Sequence, residues 1–262
     1  MIWRPACCAE SPEAAGTVVE TSPRRASGAG AAGLEEADRL YFRRDREGGL
    51  ERSIALLEER LRQEPEDAGV LWRLGRGLVR LGEREDTKRG RIELFTRAEE
   101  TIGRAVAIDP DSAQAHYWHG VALGRHGEAR GMLRSLFMVG PIKRRMRRAL
   151  ELDPGHGRAH LVLGQMYRRL PRVAGGSNER AVLELETALR LRPNDTALHP
   201  ALAEACREAG DDRRAREVLL RIFEVREPED PAESAGNVAE ARRMLRELGA
   251  GPGDEGQRSE SP

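Results

Sequence analysis

The sequence predicts an all-α protein, an α-solenoid of about five helical hairpins. Three observations carry that expectation. Charged residues make up 34% of the 262 positions and aromatics 4%, with Ala, Leu, Arg and Glu abundant; straight-chain side chains lose little rotamer freedom in a helix. Stretches rich in Val, Ile or Thr are nearly absent, which argues against a sizeable sheet. Finally, four segments close alike on Pro65, Pro110, Pro154 and Pro193, spaced 45, 44 and 39 residues apart.

Residues 1–33 hold Pro5, Pro12 and Pro23 among many Ala, Gly and Ser, without helical periodicity, and are expected to form a disordered arm. The repeat domain is expected over 34–248, followed by a Gly/Ser/Glu-rich tail over 249–262. A degenerate first unit turns at Gly48-Gly49 and places Ser53, Leu57 and Pro65 on its second helix. Each closing proline stops a helix, because the residue before it is pushed out of the helical region and its ring blocks continuation. A polar turn follows, and then a second pattern: Leu71-x-x-Leu74-Gly75, His116-x-x-His119-Gly120 and His160-x-x-Leu163-Gly164, with a weaker copy at His199-x-x-Leu202-Ala203. The small residue lets the two helices of a hairpin approach closely.

These motifs resemble the tetratricopeptide family. The fourth unit fits best, with His160, Leu163, Gly164 and Tyr167, then Ala181, Leu185, Ala188 and Pro193. The second offers Leu71, Leu74, Gly75, Leu78, Ala98, Ile102, Ala105 and Pro110; the third, Gly120, Leu123, Ile142, Met146, Ala149 and Pro154. The fifth keeps Leu202, Ala203, a turn at Gly210, Ala215 and Leu219. Units two and three carry about ten extra residues and unit four about five, against a usual period of 34. Those insertions are expected to lengthen the second helices or add short helical excursions at one edge. Ala115-His116-x-Trp118, Gly127-Glu128-x-x-Gly131 and the Ile142–Pro154 stretch, with Leu170-Pro171 and Gly175-Gly176, resemble two related sets. One is the regulator of microtubule dynamics family, the other the T-component proteins of tripartite transporters. The resemblance spans roughly 35–248 and implies a right-handed solenoid.

It also implies a concave groove lined by the first helices. The family's groove positions fall on Gly69, Trp72, Arg76, Val79 and Arg80 in unit two and on Gln114, Tyr117, Val121, Gly124 and Arg125 in unit three. Unit four contributes Arg158, Leu161, Gln165, Arg168 and Arg169; unit five, Ala197, Pro200, Glu204, Arg207 and Glu208. Seven arginines against two glutamates stand out in a chain with 44 basic and 44 acidic residues. A guanidinium grips a carboxylate with two parallel hydrogen bonds. The expected ligand is therefore an acidic peptide or C-terminal carboxylate, with Trp72 and Tyr117 as apolar anchors. The competing expectation is a solvated face in an arginine-rich protein. The stack is also expected to close partly, leaving less open groove than in regular relatives.

Other features point to no chemistry of their own. His116-x-x-His119 has metal-ligand spacing, but both fall on packing positions of the repeat. Lys143–Arg148 is a basic run whose members spread around a helix, with Met146 and Ala149 facing inward. Cys7, Cys8 and Cys206 form neither a disulfide framework nor a ligand set, and Cys206 is expected to be buried and inert. Gly-x-Ser-x-Gly, His-Glu-x-x-His and Cys-x-x-Cys are missing from the sequence, as is a run long enough to span a membrane. The expectation is a non-catalytic scaffold or adaptor without cofactor or metal, in the cytoplasm and with no nucleic-acid partner. The alternative is a periplasmic accessory protein of a solute-uptake system.

Overall fold

The computed structural model describes residues 28–46 and 48–249. Cys7, Cys8, residues 1–27 of the expected arm and 250–262 of the expected tail lie outside the described residues. Helix α1 (Gly28–Phe42) takes in the last residues of the stretch assigned to the arm. It pairs with α2 (Gly49–Gln63), and four further antiparallel hairpins follow. These are α3 (Ala68–Arg84) with α4 (Lys88–Ile108), α5 (Ala113–Arg130) with α6 (Met132–Leu152), α7 (Gly157–Arg169) with α8 (Asn178–Leu191), and α9 (Leu198–Glu208) with α10 (Asp212–Arg221). An eleventh helix, α11 (Pro231–Gly249), follows them; it has no counterpart among the hairpins read from the sequence.

The four repeat prolines do what their chemistry demands. Helices α2, α4, α6 and α8 end two residues before Pro65, Pro110, Pro154 and Pro193. After the first three, the next helix is started by a side chain that satisfies a free N–H, whereas α9 begins without a side-chain cap. Asp67 accepts from Val70 at 3.0 Å and Ser112 from Ala115 at 3.2 Å. The Nδ1 of His156 does the same for Ala159 at 3.2 Å.

The extra residues of units two and three go into both helices of each hairpin. Helices α4 and α6 reach 21 residues, against 14 in α8, while α3 and α5 reach 17 and 18, against 13 in α7. The expected lengthening of the second helices is joined by the first helices, because a longer hairpin must lengthen on both sides to keep its helices paired. Unit four places its insertion in a loop containing one 3-10 turn, Arg172–Ala174.

The core is continuous from Ala37 and Tyr41 in α1 to Ala241 and Met244 in α11. Each hairpin buries its apolar stripe on the next, as a stacked solenoid requires. Between hairpin helices the approach is close where the sequence supplies glycine. A Cβ on Gly75 would stand 2.1 Å from Ile102 Cγ1, and one on Gly164 would stand 2.6 Å from Leu185 Cγ.

Candidate functional site, the concave face

The first helices carry the predicted groove residues, and they do not leave the arginines free. Arg76, 5% exposed, donates to Asp38 of α1 at 2.5 Å, and Arg73 donates to the other oxygen of the same carboxylate at 2.9 Å. Arg125 reaches Glu83 of α3 at 2.8 Å and Glu128 at 3.0 Å. Arg168 pairs with Glu204 and Glu208 of α9, each at 2.6 Å. Arg207 pairs with Glu247 of α11 at 3.1 Å. Arg169 is exposed, 4.0 Å from Glu128. The basic lining read from the sequence is thus a rail of alternating charge that runs from repeat to repeat. Asp38, Glu83, Glu128 and the acidic groups of α11, which occupy positions outside the family's groove frame, supply the partners.

The densest part of the rail lies where α11 begins. Arg158 grips Asp195 with two hydrogen bonds, at 2.7 and 3.2 Å, and comes within 3.5 Å of Glu233. Arg80 donates to the Tyr41 hydroxyl at 3.2 Å and to Glu83 at 2.8 Å, and also pairs with Glu233. Arg44, in the turn after α1, meets Glu233 at 3.1 Å and Asp230 at 2.8 Å. One carboxylate, Glu233, therefore touches three guanidiniums from widely separated parts of the chain.

Burial alone would ease protons off Arg80 and Arg158. Tyr41, Glu83 and Glu233 around the former, and Asp195, Tyr117 and Glu233 around the latter, outweigh it and hold both more firmly charged. At Arg76 burial outweighs Asp38, and its affinity for the proton falls. Burial would also raise Glu83, yet Arg80 and Arg125 together hold it below the usual carboxylate range.

The two predicted anchors sit differently. Trp72 is half-buried, with the Arg73 guanidinium 4.3 Å and that of Arg76 5.2 Å from its ring, a stacked cation–π arrangement. Tyr117 is buried, edge-on to Trp118 at 5.2 Å and 4.7 Å from the His156 ring, so its ring packs and does not project. Gln114 is exposed. Gln165 and Arg169 join Arg125 on the rim of a cleft of about 340 Å³ between α5, α6 and α7, floored by Val121, Ile142 and Val162.

Sequence reasoning missed Arg44, Asp230 and Glu233. The signal was present in Asp230-Pro231, an acidic residue followed by proline, which is how a helix often begins. Nothing local, however, says where such a helix docks.

The other singled-out groups are absorbed by packing. His116 Nε2 lies 2.9 Å from the Pro110 carbonyl, and Arg145 lies 3.2 Å from its Nδ1. This engages both ring nitrogens and assigns a neutral Nε2–H tautomer, leaving no lone pair for a metal. His119 is buried, and burial with Arg145 nearby depresses it to about 4. Within the basic run, Met146 and Ala149 are buried while Arg148 pairs with Asp111 and Glu151. Cys206 is buried and its thiol is pushed up to about 11, mainly by burial, which suppresses the nucleophilic thiolate. No helix among the described residues is long and apolar enough to cross a membrane.

Comparison with known proteins agrees with this architecture. A crystal structure of TTC0263, a thermophilic tetratricopeptide protein of Thermus thermophilus, superposes with a TM-score of 0.63 at 20% identity, covering 82% of this chain and 98% of that one. At that identity the likeness shows the fold alone. Regulator of microtubule dynamics protein 1 of Bos taurus is 31% identical over 122 residues, 46% of this chain and 37% of its own length. Protein 3 of the same name in Mus musculus is 26% identical over 176 residues, 67% of this chain and 35% of its own. The chain thus spans little more than a third of the curated relatives it matches. The family model for regulator of microtubule dynamics proteins 1–3 matches residues 33–169, which take in the first three hairpins and α7. With the repeat fold and those motifs in place, this tetratricopeptide-like chain belongs to the regulator of microtubule dynamics family.

Proposed function

We propose that the chain is a non-catalytic protein-interaction module whose concave face receives an acidic segment of a partner. The coarse part of this reading follows from a tetratricopeptide-like fold, which is a protein-interaction fold. The finer part rests on one observation: Arg80 of α3 and Arg158 of α7, on different repeats, converge on a single carboxylate. Guanidiniums fixed by Tyr41, Glu83 and Asp195 are preorganised, so a ligand carboxylate need not order them. Their partly desolvated setting strengthens each charge-assisted bond.

The test is fluorescence anisotropy with labelled hexaglutamate, using hexaglutamine as the uncharged control. The wild-type chain is expected to bind the acidic peptide and not the control, more weakly as salt rises. An Arg80→Ala, Arg158→Ala double variant, checked for helicity by circular dichroism, is expected to lose about tenfold or more in affinity. Equal binding of the two peptides, or an unchanged double variant, rejects the reading.

A further inference from the structure

Helix α11 is docked by charge at its start and by a thin apolar stripe, Val238, Ala241, Met244, Leu245 and Leu248, along its length. Of its nineteen residues only Ala241 and Met244 are buried, whereas the eleven-residue α9 buries eight. Its start is held by ion pairs. Asp230 meets Arg44; Glu233 meets Arg44, Arg80 and Arg158; Glu229, just before, meets Arg192. Farther along, Glu247 takes Arg207. Three of the seven arginines that the sequence assigns to the groove, Arg80, Arg158 and Arg207, are thus occupied by this one helix.

Two further details mark the contact as an occupied site more than a permanent wall. Oδ1 of Asp230 is buried without a hydrogen-bond partner, a costly arrangement that a purely structural contact has reason to remove. The segment joining α11 to the last hairpin, Val225–Asp230, is outside any helix and contains Pro228. Its ties are the Glu229 N–H donating to the Asn194 carbonyl at 3.1 Å and the Arg192–Glu229 and Arg44–Asp230 pairs, so release breaks these few contacts and no helix.

We propose that α11 is a built-in occupant of the concave face. Arg44, Arg80 and Arg158 form a carboxylate site, and a partner segment with the same pattern takes it by displacing Asp230-Pro231-Ala232-Glu233. The fitting partner carries an acidic residue, a proline, one further residue and a second acidic residue at the start of a helix. This rests on the acidic-segment reading above and adds its regulation. A short tether holds α11 near the site at roughly millimolar effective concentration, so a free partner must compete, and its apparent affinity falls by the fraction of open molecules.

The probe is a labelled synthetic peptide of residues 226–240 of this chain, added in trans to the full chain. An Asp230→Asn, Glu233→Gln variant is expected to bind it at least about tenfold more tightly than wild type. Adding Arg80→Ala to that variant is expected to remove the gain. In parallel, saturating unlabelled peptide on wild type is expected to speed hydrogen exchange across 231–249 while α9 stays protected. This arm stands alone if the double variant does not fold. Equal binding to wild type and variant, or unchanged exchange in α11 at saturation, overturns the occupant and leaves the acidic groove standing. Binding to neither overturns the groove reading itself.

Discussion

A buried histidine is a proton sensor whether or not function uses it. His116, His119, His156 and His199 are all buried, and burial lowers each below its ordinary value, His119 to about 4. The unfolded chain then binds more protons than the folded one between about pH 6.5 and 4. Stability is full above that window and falls as pH drops through it. His119 occupies the position that Leu74 and Leu163 hold in neighbouring repeats, and its Nδ1 is buried without a partner. A His119→Leu variant is expected to melt higher at neutral pH and to lose less on acidification, by up to about 3 kcal/mol at pH 4. Thermal melts of both proteins from pH 7 to 4 check this, and parallel curves would refute it.

Within the hairpins, the decisive feature is how closely two helices can approach, and two glycines separate the stiff case from the soft one. A methyl on Gly75 meets Ile102 Cγ1 at 2.1 Å and the Ala98 carbonyl at 3.3 Å; a methyl on Gly120 meets Met146 Cε at 2.1 Å and Arg145 Cβ at 3.2 Å. Isoleucine is branched and held at χ1, whereas methionine can swing its terminal methyl away. Alanine also gains about 1 kcal/mol of helix propensity over glycine. Gly75→Ala is therefore expected to destabilise by about 1–3 kcal/mol, and Gly120→Ala to fall within about 1 kcal/mol of wild type. Urea unfolding measures both.

Spacings like these made the hairpins legible: proline stops, capped starts and small residues are local. The distribution of the insertions over both helices was not legible, because no local signal says how a longer hairpin keeps its register. The site was half legible. Arg76, Arg80, Arg125, Arg158, Arg168 and Arg207 were legible from the repeat frame, but their partners Asp38, Glu83, Glu233 and Glu247 come from other helices. Charge balance on a face depends on what packs across it, and sequence spacing does not report that.

At the scale of the whole molecule, the first hairpin and the last helix are tied together. Arg44 and Asp230 are nearly fully buried, with side chains 5% and 6% exposed, and Arg84 adds a bond to the Arg44 carbonyl at 2.5 Å. Removing one partner of a buried pair strands the other charge. Arg44→Ala is expected to cost about 3–5 kcal/mol, whereas Arg44→Met with Asp230→Leu is expected to recover most of that loss. Chemical denaturation of the two single variants and the double completes the cycle. Additive losses would mean that the two ends do not hold each other.

The residues of that tie are 186 positions apart, whereas the hairpins are made almost wholly of neighbours in sequence. A stack of this kind forms quickly from its local parts, and long-range pairings come last because they must first overcome chain entropy. During synthesis the first repeats emerge and stack well before Asp230 and Glu233 exist. For that interval Arg44, Arg80 and Arg158 lack Asp230 and Glu233, though Glu83 and Asp195 already hold the latter two, and on the reading proposed above the nascent chain is the form most open to an acidic companion.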